Sequence, residues 1–172
     1  MAKAERVGAE DRAEIEELLS LYCRVVDAKD YRQLKSVFTE DAEIEVFIQK
    51  KNFKGPDEFE RFLDVTKPFS TDRMHFTSNL SIRGGEAVRG LAYWHSVMTY
   101  KGTPVMEGGW YAMTFRKSEE GWKMSSMKIY HKYRTALKSP SWGKVGYPGT
   151  DIVESPDALI FEHLRNWFYV AP

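Results

Sequence analysis

The sequence predicts an α+β domain: a cone in which N-terminal helices pack over the concave face of a curved, mostly antiparallel sheet. Three observations carry this expectation. Apolar residues recur at helical spacing through the first third of the chain, the period changes to two from Met74 onward, and short glycine-bearing turns divide the period-two segments. Helices first and long strands after is the order of an α+β fold rather than of alternating parallel units.

The first helix is expected over residues 10–28, where Ile15, Leu18, Leu19, Tyr22 and Val26 form one apolar stripe. Asp30–Phe38 reads as a short second helix with Tyr31, Leu34, Val37 and Phe38 on its buried side, a pair that can form a lid. Ile44, Val46 and Ile48 alternate with charged or polar neighbours, the pattern of a strand with one solvated face. Lys54-Gly55-Pro56-Asp57 is expected to break that strand, and Phe59, Phe62, Leu63 and Thr66 to continue as a third helix until Pro68. Strands then follow over residues 74–83, 87–100, 105–116 and 122–135. Gly84-Gly85, Lys101-Gly102-Thr103-Pro104 and Ser118-Glu119-Glu120-Gly121 supply the turns. The expected domain is residues 1–137. Residues 138–172 are expected to be an extension, an aromatic-bearing loop followed by a helix over 156–168, packing on the pocket mouth or on a neighbouring subunit through Trp142, Tyr147, Trp167 and Phe168.

Composition narrows the function. Of 172 residues, 42% are hydrophobic, enough for one core, and 25 Lys plus Arg balance 25 Asp plus Glu. Such a balance provides no field to gather nucleic acid or an anionic membrane, so the expected partner is a small neutral molecule or a second copy of the chain. The single cysteine, Cys23, excludes an internal disulfide framework and a multi-cysteine zinc site. No stretch approaches the roughly 18 continuous apolar residues of a membrane span, and the N-terminus lacks an apolar leader core, so the expected compartment is the cytoplasm.

Strand parity gives a list of inward-facing residues, because alternate side chains share a face. With Lys128 outward, Met127, Ile129 and His131 point inward unless a bulge intervenes. With Arg116 outward, Tyr111, Met113 and Phe115 do so, with Glu107 and Gly109 near the open end. With Arg89 outward, Trp94, Ser96 and Met98 point inward, and His75 shares its face with Thr77 and Asn79. Apolar and aromatic walls with a few convergent polar groups are how a small-molecule pocket is built. Each polar residue also has a plainer role open to it. His95, His131 and His163 can be satisfied structural histidines, Tyr22 can be packing with a hydroxyl on a backbone group, and Glu107 can be a rim charge beside Gly108-Gly109. Asp27 and His75, at a helix end and a strand start, look together like a base and its orienter.

Several motifs resemble the SnoaL-like branch of the nuclear-transport-factor-2-like superfamily, whose fold is cystatin-like. Tyr22-x-Arg24-x-x-Asp27 closes the first helix, Phe38-x-x-Asp41-Ala42 enters the first strand, and His75-Phe-Thr-Ser-Asn79-Leu follows the third helix. Gly108-Gly109-x-Tyr111 and Gly121-Trp122-Lys123 come later. The 48 residues from Asp27 to His75 resemble the spacing in hexachlorocyclohexane dehydrochlorinases and bile-acid dehydratases, and Tyr22 resembles the latter in particular. The resemblance covers about residues 10–137.

That resemblance implies a catalytic dyad that needs no cofactor and no metal. His75 would take a proton from carbon, and Asp27 would hold the ring tautomer and steady the imidazolium. Met98 stands where an acidic partner is expected, so help for the leaving group would come from Tyr22, Tyr111, His131 (in its protonated form) or Arg134. Trp94 and Tyr111 would stack on an aromatic or polycyclic substrate, with Met98, Met127, Arg134 and Asn79 among its contacts. The expected activity is a lyase that eliminates water or a small fragment such as formaldehyde. Ketone isomerisation or polyketide-type cyclisation uses the same base, and a third alternative is a non-catalytic binder of a hydrophobic ligand. The outer sheet face and aromatic tail imply a homo-oligomer, a dimer or trimer.

Overall fold

The computed structural model of the chain describes residues 6–137, so the expected extension lies outside the described residues. Helix α1 (Ala9–Ala28) begins with Glu10 and Asp11, which favour the positive end of its dipole. It buries Ile15, Leu18, Leu19, Tyr22, Cys23, Val25 and Val26, and it ends on a left-handed Lys29 (φ 58°). The expected second helix is shorter. A 3-10 turn at Tyr31–Gln33 leads into α2 (Leu34–Val37), and Phe38 already opens strand β1 (Phe38–Val46). All four apolar residues assigned to that segment are buried regardless.

The region after β1 departs from expectation. Ile48 lies in a 3-10 turn, Phe47–Gln49, and a strand not anticipated, β2 (Lys51–Lys54), returns antiparallel to β1 with Glu43 opposite Lys54. As expected, a strand ends at Lys54 and a helix follows, but Gly55-Pro56 belongs to that helix, α3 (Gly55–Thr66), as its first turn. Gly55 adopts φ 75°, and a β-carbon on it would crowd the carbonyl oxygen of Glu40. Strands β3 (Ser70–Arg83), β4 (Val88–Tyr100), β5 (Thr103–Ser118) and β6 (Gly121–Ala136) form the antiparallel meander.

The six strands run in the order β2-β1-β6-β5-β4-β3, in a curved sheet that does not close on itself. β1 and β6 pair in parallel; the crossover through α3 and β3–β5 supplies the long connection that such a pair requires. The principal core lies between the helices and the sheet and contains Ile15, Leu34, Val37, Phe38, Ala42, Ile44, Met124 and Met127, each at most 1% exposed. A separate cluster of Leu91, Trp110 and Tyr130 is joined by Phe47, whose ring stacks 4.2 Å from that of Tyr130. On β3 and β4, Met74, Phe76 and Tyr93 are exposed, and Phe76 stacks on His95 at 4.7 Å.

Two irregularities in the pairing set up the site. Gly108 opposes Tyr133 but Gly109 opposes His131, so β6 carries one extra residue at that point. A β-carbon on Gly109 would fall on the carbonyl oxygen of Tyr130, and one on Gly108 would press on the Tyr133 ring. The bulge therefore needs glycine where backbone meets backbone. In β3, Thr71 opposes Thr99 while Met74 opposes Val97, with Asp72 at φ 53° absorbing the extra residue.

Candidate active site

Asp27 sits in the last turn of α1, where the helix dipole disfavours a negative charge. Two donors compensate. Asp27 Oδ2 accepts the backbone N–H of His75 at 2.8 Å, and Oδ1 lies 2.6 Å from His75 Nδ1. The same carboxylate thus fixes the strand and the ring it carries, and leaves Nε2 as the nitrogen that His75 offers to the chamber. The two side chains are only 23% and 6% exposed, respectively. His75 lines the chamber and Asp27 stands behind it.

The chamber is a cavity of about 120 Å³. Val26, Val46, Phe59, Leu63 and Ile129 form apolar walls; Tyr22, Trp94 and Tyr111 form the aromatic one. Trp94 and Tyr111 stack on each other, centroids 5.3 Å apart and planes 7° from parallel, and Tyr22 meets Tyr111 edge-on at 5.8 Å. Trp94 Nε1 donates to the carbonyl of Tyr130 at 3.2 Å, which pins the indole. Burial raises the Tyr22 and Tyr111 hydroxyls well above the ordinary phenol range, so both remain protonated donors at neutral pH. Burial likewise pushes the Cys23 thiol up to about 12, which removes the chain's only cysteine as a nucleophile.

Of the residues proposed from sequence, Tyr22, His75, Trp94, Met98, Tyr111, His131 and Arg134 line this cavity. Two do not. Asn79 occupies a second bulge of β3, at φ 54° between the pairs Ser78–Tyr93 and Ser81–Leu91, and is exposed: the extra residue there breaks the alternation that would have aligned it with His75. Met127 points inward as parity requires, but at 0% exposure it is packed in the core beneath the chamber rather than on its wall. The expected protonated His131 is also corrected. Burial, the largest influence, pulls its pKa down from 6.5 to about 4, outweighing the opposing pull of Glu107, so the ring is neutral near pH 7.

Glu107 is no rim charge. It is 6% exposed, accepts a hydrogen bond from Ser96 Oγ at 3.4 Å, and has Arg134 Nε at 3.8 Å and His131 Nε2 at 3.9 Å. Residues 131 and 134 face the same chamber despite their odd spacing because the bulge opposite Gly108-Gly109 resets the alternation. Sequence reasoning missed Ser70 and Arg73, since β3 starts four residues before the strand expected from Met74. Arg73 stands two residues from His75, and extending the period-two pattern backward would have found it. Among the described residues, no group of three His, Cys, Asp or Glu side chains is placed to hold a metal ion, and no helix is long and apolar enough to cross a membrane.

Fold and site together define a protein of the nuclear-transport-factor-2-like class, in which an open curved sheet and its helices enclose a small chamber. Residues 8–128 match the family model for the SnoaL-like domain, and the chain belongs to that family. Solved structures agree on the fold. A hexachlorocyclohexane dehydrochlorinase, LinA type 2, superposes with a TM-score of 0.71 at 21% identity, over 80% of this chain and 95% of its own. The LinA-type3 dehydrochlorinase of Novosphingobium barchaimii gives 0.68 at 23% identity, over 81% and 96%. A scytalone dehydratase-like protein of Novosphingobium aromaticivorans gives 0.67 at 18% identity, over 81% and 95%. No curated protein matches the chain.

Proposed function

We propose that the chain is a cofactor-independent lyase acting on an aromatic small molecule, with His75 as the general base and Asp27 as its orienter. The observation that carries this reading is the two-point grip of Asp27 on His75 behind an enclosed aromatic chamber. A carboxylate on Nδ1 fixes the proton there, makes Nε2 the basic nitrogen, and stabilises the imidazolium formed when Nε2 takes a proton. Dehydrochlorinase and dehydratase relatives share the fold, and elimination is the chemistry their names have in common.

In the dehydration form, Nε2 removes a proton from carbon, a C–C double bond forms, and the bond to an adjacent hydroxyl breaks. The leaving oxygen needs a proton. Tyr22 and Tyr111 hold theirs too tightly and His131 is neutral, so these groups donate hydrogen bonds while the His75 imidazolium returns the proton and water departs. In the formaldehyde form, the base takes the hydroxyl proton of a hydroxymethyl group, the carbon–carbon bond breaks, and the carbon left behind receives the electron pair. Cavities of ~150 Å³ hold a benzene ring. At about 120 Å³, this chamber has room for no more than one ring, and any further ring of the substrate extends into the mouth beside Gln49 and Tyr100.

Residues 1–137 are the catalytic domain in this reading. The exposed face of β3 and β4 is where copies of the chain would meet. The test is a screen of aromatic alcohols and β-hydroxy ketones for a new conjugated absorbance, followed by His75→Ala. We expect turnover to fall by ~10²–10⁴-fold while ligand binding persists. A substrate turned over equally fast by His75→Ala refutes the proposal.

A further inference from the structure

Of the charged groups of the chamber, Arg73 has uncharged partners alone among the described residues. Its Nη2 donates to Ser70 Oγ at 2.8 Å and to the Met98 sulfur at 3.1 Å, and its Nε is buried without a hydrogen-bond partner. The carboxylates are engaged elsewhere, Asp27 on His75 and Glu107 beside His131 and Arg134. A guanidinium carries five donors, and its planar edge of Nε and Nη matches a pair of oxygens. Holding such a group partly desolvated against a hydroxyl and a thioether costs free energy that a bound anion recovers.

The position is built rather than incidental. The bulge at Asp72 turns Ser70 and Arg73 to the same side as His75, although 70 and 73 differ by an odd number. Ser70 is 6% exposed and donates its own proton to the Met98 sulfur at 3.1 Å, so its lone pairs face the guanidinium and hold Nη2 in place. Arg73 therefore lines the cavity with its Nη1 uncommitted, one alternation along β3 from His75.

We propose that Arg73 anchors an anionic oxygen of the substrate, a ring carboxylate or a phenolate, and so sets the substrate class as an anionic one-ring compound. This takes the chamber as a small-molecule site, as above, but does not depend on the lyase chemistry. The anchor orients the ring so that the atom to be deprotonated meets His75 Nε2, and Glu107 repels the same anion from the Arg134 side. Arg134 is occupied in any case, by Glu107 at 3.8 Å and by the Tyr100 ring, 4.4 Å from its guanidinium carbon.

Titration calorimetry of the full chain at pH 8 with benzoate, 4-nitrophenolate and the neutral isostere benzamide tests this. Both anions, or whichever matches the natural oxygen, should bind at least ~10-fold tighter than benzamide, and Arg73→Leu should weaken anion binding by about 10- to 100-fold while benzamide changes little. Tighter benzoate identifies a carboxylate as the source, and tighter 4-nitrophenolate a phenolate. Should Arg73→Leu fail to fold, Arg73→Lys keeps the charge without the fork and should still lose ~10-fold. His75→Ala should retain anion affinity, so Arg73-dependent binding without any turnover would sink the lyase reading and leave the anchor standing. Equal affinity for benzoate, 4-nitrophenolate and benzamide, no binding of either anion, or an Arg73→Leu protein with unchanged anion affinity overturns the anchor.

Discussion

The neutral His131 makes a quantitative prediction about acid stability. Its ring meets Trp94 edge-on at 4.9 Å, its Nδ1 is buried without a partner, and burial lowers its pKa from 6.5 to about 4. In the unfolded chain the imidazole regains its ordinary affinity for protons. Between pH 6.5 and 4 the unfolded state therefore binds more protons than the native state, and native stability falls as pH falls through that window, levelling off below about 4. At about 1.4 kcal/mol per unit, the difference comes to about 3 kcal/mol, a large share of the stability of a domain this size. The perturbation is His131→Phe, which keeps a ring against Trp94 and removes the titration. Urea unfolding followed by tryptophan fluorescence at pH 7.5, 5.5 and 4.0 reads the stabilities. Wild type should lose about 3 kcal/mol more than His131→Phe between the outer two values. Parallel loss in the two proteins would refute the assignment of a depressed pKa to this ring.

Three further outcomes follow from the geometry. Asp27→Asn should turn an amide N–H toward Nδ1 and shift the ring proton to Nε2; turnover of an identified substrate should drop by ~10²–10⁴-fold with little change in KM, and an unchanged kcat would detach Asp27 from the mechanism. Gly109→Ala places a methyl group on the Tyr130 carbonyl, so it should destabilise the fold by about 3 kcal/mol or more in denaturant melts, whereas Gly8→Ala, whose β-carbon meets only an ordinary contact with Asp11 at 3.9 Å, serves as the milder comparison. Phe76→Glu puts charge on the exposed β3–β4 face and should convert an oligomer seen by light scattering into a monomer; a wild-type chain that is already monomeric at high concentration would contradict self-association there.

How far the sequence reached depended on period. The stripe of α1 and the four long strands were legible because helical and period-two patterns run through most of their length, and parity alone placed Trp94, Met98 and Tyr111 inward. The short elements were not. β2 has four residues, too few for a pattern to declare itself, and Gly55-Pro56 serves equally as a strand breaker or as the first turn of a helix. The bulges were likewise invisible, since an inserted residue leaves composition unchanged while reversing every face beyond it. That is why Asn79 was misplaced, whereas Arg73 was overlooked because β3 starts four residues before the strand expected from Met74. Burial depth was the third gap. Alternation says that Met127 and His131 face inward, but not that one reaches the core, nor that the other is buried deeply enough to stay unprotonated.

The grip of Asp27 on both the amide and the ring of His75 ties architecture to reactivity in a single joint. Drift in the helix end would displace the proposed base, and loss of that ring would release the helix end, so selection on either preserves both. Gln49 and Tyr100 at the mouth carry no such double duty. Variation within this lineage should accordingly accumulate around the cavity, retuning which compounds enter, while the hinge between helix and strand stays fixed.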